Sequence, residues 1–412
     1  MIERRLRVAV TVMATVLAAR ASLAQPVGSP GWPTYADAVV AADGSGQFQS
    51  LQAAILAAPT ATRDRPWIIY VKAGTYRERL YVQREKRFLA LVGEDAERTV
   101  VTYDLHAFLT GPDGRPISTF RTPTAQIDGD DFMAENLTFE NPAGTEGRQA
   151  LAVRVDGDRA AFRRCHFVGW QDTILLNRGR QYLEDCFVSG SVDFIFGGAT
   201  AFFERCRVHA RLDGYVTATS TPEEQRYGFV FRGCRITGEA GVRTYLGRPW
   251  RGFASTAFLG TEMSDVVRPE GWNNWDRPLR ERTVRYGEWG STGAGARPDA
   301  RVARARRLSV EEARALTPES VLSGADGWNP AAEGSVVARV RTPACRRVAG
   351  PSRPCSSCTG AAGRAGIARK PLVPCSSPSP APAWRGCRST IAWRRSTATR
   401  RRSRRWRRRS SG

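Results

Sequence analysis

The chain has 412 residues, enough for one large domain or two ordinary ones. Its formal net charge of +22 would point to a nucleic-acid partner if it were spread over the molecule. It is not: residues 331 to 412 hold 20 of the 62 Lys+Arg side chains and one acid, Glu333, which leaves 42 basic against 39 acidic residues before them, a net of +3. No nucleic-acid partner is expected for the body of the protein.

The first 24 residues read as a secretory signal. Arg4, Arg5 and Arg7 form the charged start, VAVTVMATVLAA the apolar centre, and Ser22-Leu23-Ala24 a small-residue cleavage site. The apolar centre is too short to span a bilayer. The expectation is a mature chain from Gln25, secreted or periplasmic, with no membrane anchor after cleavage; a retained anchor is the alternative. Next, SLQAAILAA at 50 to 58 has helical apolar spacing and is expected to cap the open end of the next structural unit.

That unit is a repeat. FRRCHFVG, LEDCFVSG, FERCRVHA and FRGCRITG place Cys165, Cys186, Cys206 and Cys234 at spacings of 21, 20 and 28. Upstream, MAENLTFEN puts Asn136 in the same slot, 29 residues before Cys165. Units of twenty-odd residues rich in Phe, Val, Ile and Tyr, with Gly, Asn and Asp between them, favour a solenoid of short strands. The predicted fold is all-β: a single-stranded right-handed parallel β-helix, with a β-sandwich as the alternative. Cysteines at one register in adjacent coils could form a disulfide, Cys186 to Cys206 first, or pack as a ladder of buried thiols.

Two acids share that period. Asp172 in VGWQDTILL and Asp193 in SVDFIFGG lie 21 residues apart, the same interval as Cys165 to Cys186. Neighbouring coils are about 4.8 Å apart, so the two carboxyls should face the same way and nearly touch. Two such acids do not both ionise cheaply; one keeps its proton and the pair separates into a nucleophile or base and an acid. An aspartate at a coil corner also caps turns, but a pair at a one-coil offset in apolar segments argues for chemistry. The other standard arrangements find little support. The only histidines are His106, His166 and His209, nothing resembles HExxH or GxSxG, and DGSGQF is a turn composition without a phosphate-loop lysine. No metal and no organic cofactor are expected.

From Ala331 the composition turns to Arg, Ser, Pro, Ala, Gly and Cys, without strand or helix periodicity. The segment 331 to 412 reads as a disordered extension, a polyanion-binding arm, or the product of a shifted reading frame. The large excess of Arg over Lys, suggesting GC-rich codons, suits the last. Its five cysteines include CSSC at 355 to 358, with no second pair or histidine cluster to make a metal site.

A family resemblance rests on a longer set of motifs. ADGSGQFQSLQAAI (42 to 55), KAGTYRERL (72 to 80), GDDFMAENLTFEN (129 to 141), RQALAVRVDGDRAAFRRC (148 to 165), GWQDTILL, SVDFIFGGATAFFERC, YLGRPW (245 to 250), YGEWGSTGAGA (286 to 296) and VLSGADGWNP (321 to 330) occur in this order. Together they resemble the pectin methylesterases, or pectinesterases, of carbohydrate esterase family 8. The resemblance implies a parallel β-helix domain over residues 25 to 330 that binds methyl-esterified homogalacturonan (pectin) and releases methanol, as a monomer. It implies Asp193 as nucleophile, Asp172 as general acid and then base, Gln149 and Gln171 as oxyanion donors, and Arg248 as the partner that orients Asp193. Trp250, Phe194 and Phe196 are implied as sugar contacts, and STFRTPTA at 118 to 125 loosely resembles the substrate-binding threonine segment, with Thr119 as the candidate. QDTILL lacks the tyrosine that many plant members carry after the QDT. The rival readings are an esterase or thioesterase of the same fold on another substrate, a β-helix glycoside hydrolase or pectate lyase, and a polysaccharide-binding protein without activity.

Overall fold

Ala160–Arg163, His166–Val168 and Ile174–Leu176 are three short strands, after which the chain returns at Arg180–Glu184 to lie parallel beside the first. Repetition of that path makes a right-handed parallel β-helix. The computed structural model describes residues 34 to 144 and 148 to 337. Among them the coils form three parallel sheets of eleven, eight and seven strands. The expected signal and most of the C-terminal segment, CSSC included, lie outside the described residues. No helix among the described residues is long and apolar enough to cross a membrane.

The coil length is the cysteine interval. In the eleven-stranded sheet Phe162 pairs Leu183, Leu183 pairs Phe203, Phe203 pairs Phe231 and Phe231 pairs Phe258. Like residues therefore stack inside. The rings of Phe203 and Phe231 lie 4.3 Å apart and 11° from parallel, and those of Phe231 and Phe258 4.6 Å and 16°. In-register stacking gives every interior side chain a counterpart above and below, which lets a narrow solenoid bury a continuous core.

Cys165, Cys186, Cys206 and Cys234 occupy the corner between the eleven- and eight-stranded sheets and are buried free thiols. The disulfide expected between Cys186 and Cys206 is thus replaced by the ladder of thiols. Stacked side chains point the same way, so their Cβ atoms keep the coil spacing of about 4.8 Å, whereas a disulfide needs about 3.8 Å. Each sulfur instead meets backbone carbonyls, Cys206 those of Leu183 and Glu204. A left-handed residue precedes each thiol and turns the chain into the next sheet: Arg164, Asp185, Arg205 and Gly233, with φ of 49°, 53°, 53° and 60°. Asn136 belongs to this set, with φ of 56°. Because Glu135 pairs Arg163, it is Leu137 and not Asn136 that stands in the cysteine slot. The slot selects for a small or apolar interior group, and the turn before it for a residue that tolerates positive φ.

The predicted cap is the helix Leu51–Ala57, with Leu51, Ala54 and Ile55 in the core. Glu78 holds its start, accepting from the Leu51 and Gln52 amides and from Ser50 Oγ.

A second core lies on the outer face of the eleven-stranded sheet. The helices Val310–Ala315, Pro318–Leu322 and Pro330–Glu333 come after the last coil. Val321, Leu322, Trp328 and Val336 cover Met133, Ala161, Tyr182 and Phe202 on the outer face of the eleven-stranded sheet. Packing continues past the expected border at Pro330: Val336 is buried, and the buried carboxylate of Glu135 accepts from its amide at 2.6 Å and from Ser335 Oγ at 2.7 Å. Arg163 donates to the Pro330 carbonyl at 2.7 Å.

Reducing agent is expected to leave the melting temperature unchanged, since no disulfide joins the described cysteines; a fall of several degrees would show a bridge. Phe231→Ala, which opens the ring stack at its middle, should lower unfolding free energy by about 3–5 kcal/mol in denaturant titration.

Candidate active site

The site lies on the outer face of the seven-stranded sheet. There Val153 pairs Ile174 and Ile174 pairs Ile195, so residues 172 and 193 stand one above the other, one coil apart. In a regular strand Asp172 would share the inward face of Ile174. It does not, because Asp172 and Asp193 have φ of 64° and 52°. A left-handed residue breaks the two-residue alternation. Thr173 and Ile174 both turn inward, as do Phe194 and Ile195, while the aspartates join the cleft lining. Left-handed backbone at a residue with a Cβ costs about 1–2 kcal/mol, and aspartate is among the side chains that bear it best.

The same break corrects one expectation. The resemblance implied Phe194 and Phe196 together as sugar contacts; instead Phe194 is wholly buried in the main core, and of the two only Phe196 reaches the cleft.

The cleft has a volume of about 240 Å³. Asp172, Asp193, Gln149, Gln171, Arg248, Trp250, Phe196 and Thr119 all line it, together with Phe120, Ala218 and Trp275. Thr119 opens a short 3-10 turn, Thr119–Arg121. Leu175, Phe196 and Ala218 form an apolar floor against which Trp250 and Trp275 pack. Trp250 stacks on Phe120 at 6.3 Å and meets Phe196 edge-on at 5.6 Å. Sequence reasoning missed Phe120 and Trp275. Phe120 was within reach of it, next to the threonine candidate; Trp275 lies in a loop that carries no repeat signal.

Asp193 and Arg248 form a bidentate ion pair. Arg248 Nε donates to Oδ1 at 2.8 Å and Nη2 to Oδ2 at 2.7 Å, with little exposure of either side chain. Such forked, charge-assisted pairs fix orientation as well as charge. The carboxamides of Gln149 and Gln171 hydrogen-bond no other described residue, so their N–H groups are available to a ligand.

The two carboxyls differ in electrostatics. Burial, then the Asp193 charge, pushes Asp172 well above the usual carboxylate range, against a smaller opposing pull from Arg248. Burial also raises Asp193, but the Arg248 hydrogen bonds and charge oppose it. Asp193 is therefore the first of the pair to ionise and Asp172 the one that keeps its proton. Such a site can attack an electrophilic carbon with one carboxylate and deliver a proton from the other.

Likeness to known proteins bears on what this cleft is. A family model described as Pectinesterase matches residues 37 to 325. Pectinesterase 31 of Arabidopsis thaliana is 41% identical over 281 residues, covering 66% of this chain and 88% of the relative. Pectinesterase 4 of the same plant is 40% identical over 278 residues, covering 64% of this chain and 46% of the relative; the chain spans about half the length of several such relatives. Among solved structures, the pectin methylesterase from carrot matches at 34% identity with a TM-score of 0.66, covering 73% of this chain and 96% of the other. A pectin methylesterase in complex with a hexasaccharide matches at 31% identity with a TM-score of 0.63, covering 72% and 99%.

A proton held by Asp172 only in the folded state sets a sign for stability. Between the unfolded carboxyl's pKa and the raised folded one, the native state binds more protons, so Asp172 lowers stability as pH rises through that window. Asp172→Asn should melt with the wild type at about pH 3 and increasingly above it towards neutral pH. Calorimetry across pH measures this; a variant that melts lower at neutral pH contradicts the assignment.

Proposed function

The chain belongs to the pectinesterase family, and we propose that it hydrolyses the methyl esters of homogalacturonan, releasing methanol and leaving free carboxylates. The carrying observation is the pairing of an arginine-held Asp193 with a more strongly raised Asp172 in one aromatic-walled cleft.

Asp193 attacks the ester carbonyl carbon, held in line by the Arg248 fork and ionised by its charge. The carbonyl π electrons move to oxygen, and the oxyanion is met by the carboxamide N–H groups of Gln149 and Gln171. Loss of one donor of this kind typically costs about 3 kcal/mol of barrier. As the tetrahedral carbon collapses, the C–OCH3 bond breaks and Asp172 gives its proton to the departing methoxide, a poor leaving group unaided. The anhydride left on Asp193 is opened by a water that Asp172, now a base, deprotonates. That step restores both carboxyls.

Trp250, Phe196 and Phe120 supply apolar faces for sugar rings, and Thr119 a hydroxyl at the same wall. The hexasaccharide bound by a solved relative supports a polymeric ligand here. The signal-like sequence at Met1 to Ala24 supports a secreted or periplasmic protein. A monomer is taken as the working form, and the basic segment after Val337 as dispensable for catalysis.

Methanol release from pectin tests the reading. The wild type should release methanol without loss of polymer viscosity, whereas a fall in viscosity would indicate a glycosidase or lyase. Asp193→Asn and Asp172→Asn should each lose at least about a thousandfold in kcat, and Gln149→Ala about a hundredfold. A chain ending at Val337 should keep full activity. One ending at Pro330 should lose stability, because it leaves the buried Glu135 carboxylate without two of its donors.

A further inference from the structure

Arg248 does more than meet Asp193 edge to edge. Its guanidinium carbon lies 3.8 Å from the Tyr215 ring centroid and 3.7 Å from that of Trp275, so both faces of the cation are covered by aromatic rings. The stack continues outward. Tyr215 lies on Tyr245 with centroids 5.4 Å apart and planes 10° from parallel, and Arg268 stands over Tyr245 at 5.1 Å. Arg268 is tied in turn to Asp213 at 3.2 Å.

Tyr215 has a defined place in the solenoid. Ile195 pairs Thr217, so Tyr215 occupies, one coil further on, the position that Asp193 and Asp172 occupy in theirs, and it pairs Tyr245 in the next coil. Trp275 closes the other side from a loop, with its amide donating to Asn273 Oδ1 at 2.7 Å. Its φ is 60°, a left-handed conformation unusual for a bulky side chain and maintained only where the surroundings over-determine it. Trp275 lines the cleft, whereas Tyr215 stands behind Arg248 and does not.

We propose that Tyr215 is a positioning residue for the nucleophile, acting through the Arg248 guanidinium. The inference rests on the reading of Asp193 as the attacking group. Two rings pressed on a planar cation confine its hydrogen bonds to the rim, and the Nε/Nη2 side of that rim carries both bonds to Asp193. Removing one ring lets the fork tilt and admits water to a face of the cation, which weakens its hold on the carboxylate. Asp193 is faced by Asp172 from the preceding coil, Arg248 from Thr244–Pro249 and Tyr215 from Gly214–Thr219. With burial raising its pKa and Arg248 opposing that rise, a looser Arg248 moves Asp193 upward.

The test is the pH profile of methanol release by Tyr215→Leu and Tyr215→Ala, beside a carbon-13 carboxyl titration of Asp193 in each. The acid limb of kcat/KM is expected to move up by about one pH unit, roughly tenfold in rate below the limb. KM should stay within about twofold, because Tyr215 does not line the cleft. Tyr215→Phe, which keeps the ring, should restore the wild-type limb. A wild-type limb and Asp193 titration in both the Leu and Ala variants, with a lower melting temperature alone, would reduce Tyr215 to a packing role and overturn the proposal. If the wild type released no methanol, the esterase reading would fall, while the titration of Asp193 would still decide whether Tyr215 governs its ionisation.

Discussion

The forked ion pair between Arg248 and Asp193 works only because the solenoid keeps register. Asp193 is placed by one coil, Asp172 by the coil before it and Arg248 by a strand two coils further on. A slip of one residue in any of them would turn a carboxylate or the guanidinium to the other face of the sheet. The stacked core prevents that slip. Ring upon ring in Phe203, Phe231 and Phe258, and thiol upon thiol at the corner, reward only the register that also aligns the cleft. Packing and chemistry are thus specified by the same constraint.

The site opposes the scaffold's own preferences. Both aspartates sit in left-handed backbone, both are nearly buried, and burial works against the charged form of each. Each of these is destabilising taken alone. They are compatible with a stable fold because the neighbouring coils are packed in register and because Arg248 compensates the carboxylate it contacts. The asymmetry between the acids arises because Arg248 contacts one of them, so no separate device is needed to divide their roles.

The solenoid was legible in the sequence because its core repeats. Cysteine spacings of 21, 20 and 28 are the coil lengths, and Asp172 and Asp193 inherit one of them. Where reading by motif went astray, a single backbone angle was responsible. Asn136 is one residue out of the cysteine slot because it makes the turn before that slot, and Phe194 points inward because Asp193 reverses the alternation. A one-dimensional pattern carries no sign of a left-handed residue when the side chain is Arg or Asp rather than Gly. The covering segment through Val337 and the aromatic pair about Arg248 were hidden for another reason. The segment through Val337 covers the eleven-stranded sheet, and Trp275 reaches Arg248, from outside the repeated coils, so neither Val336 nor Trp275 carried a periodic signal.

The chemistry proposed for this cleft depends on an order of ionisation within one pair of stacked carboxyls. Carbon-13 titration of Asp172 and Asp193 in the intact protein measures that order directly. It should find Asp193 charged first and Asp172 still protonated at a pH where an ordinary aspartate has long lost its proton. The reverse order, or two independent titrations near the ordinary aspartate value, would contradict it.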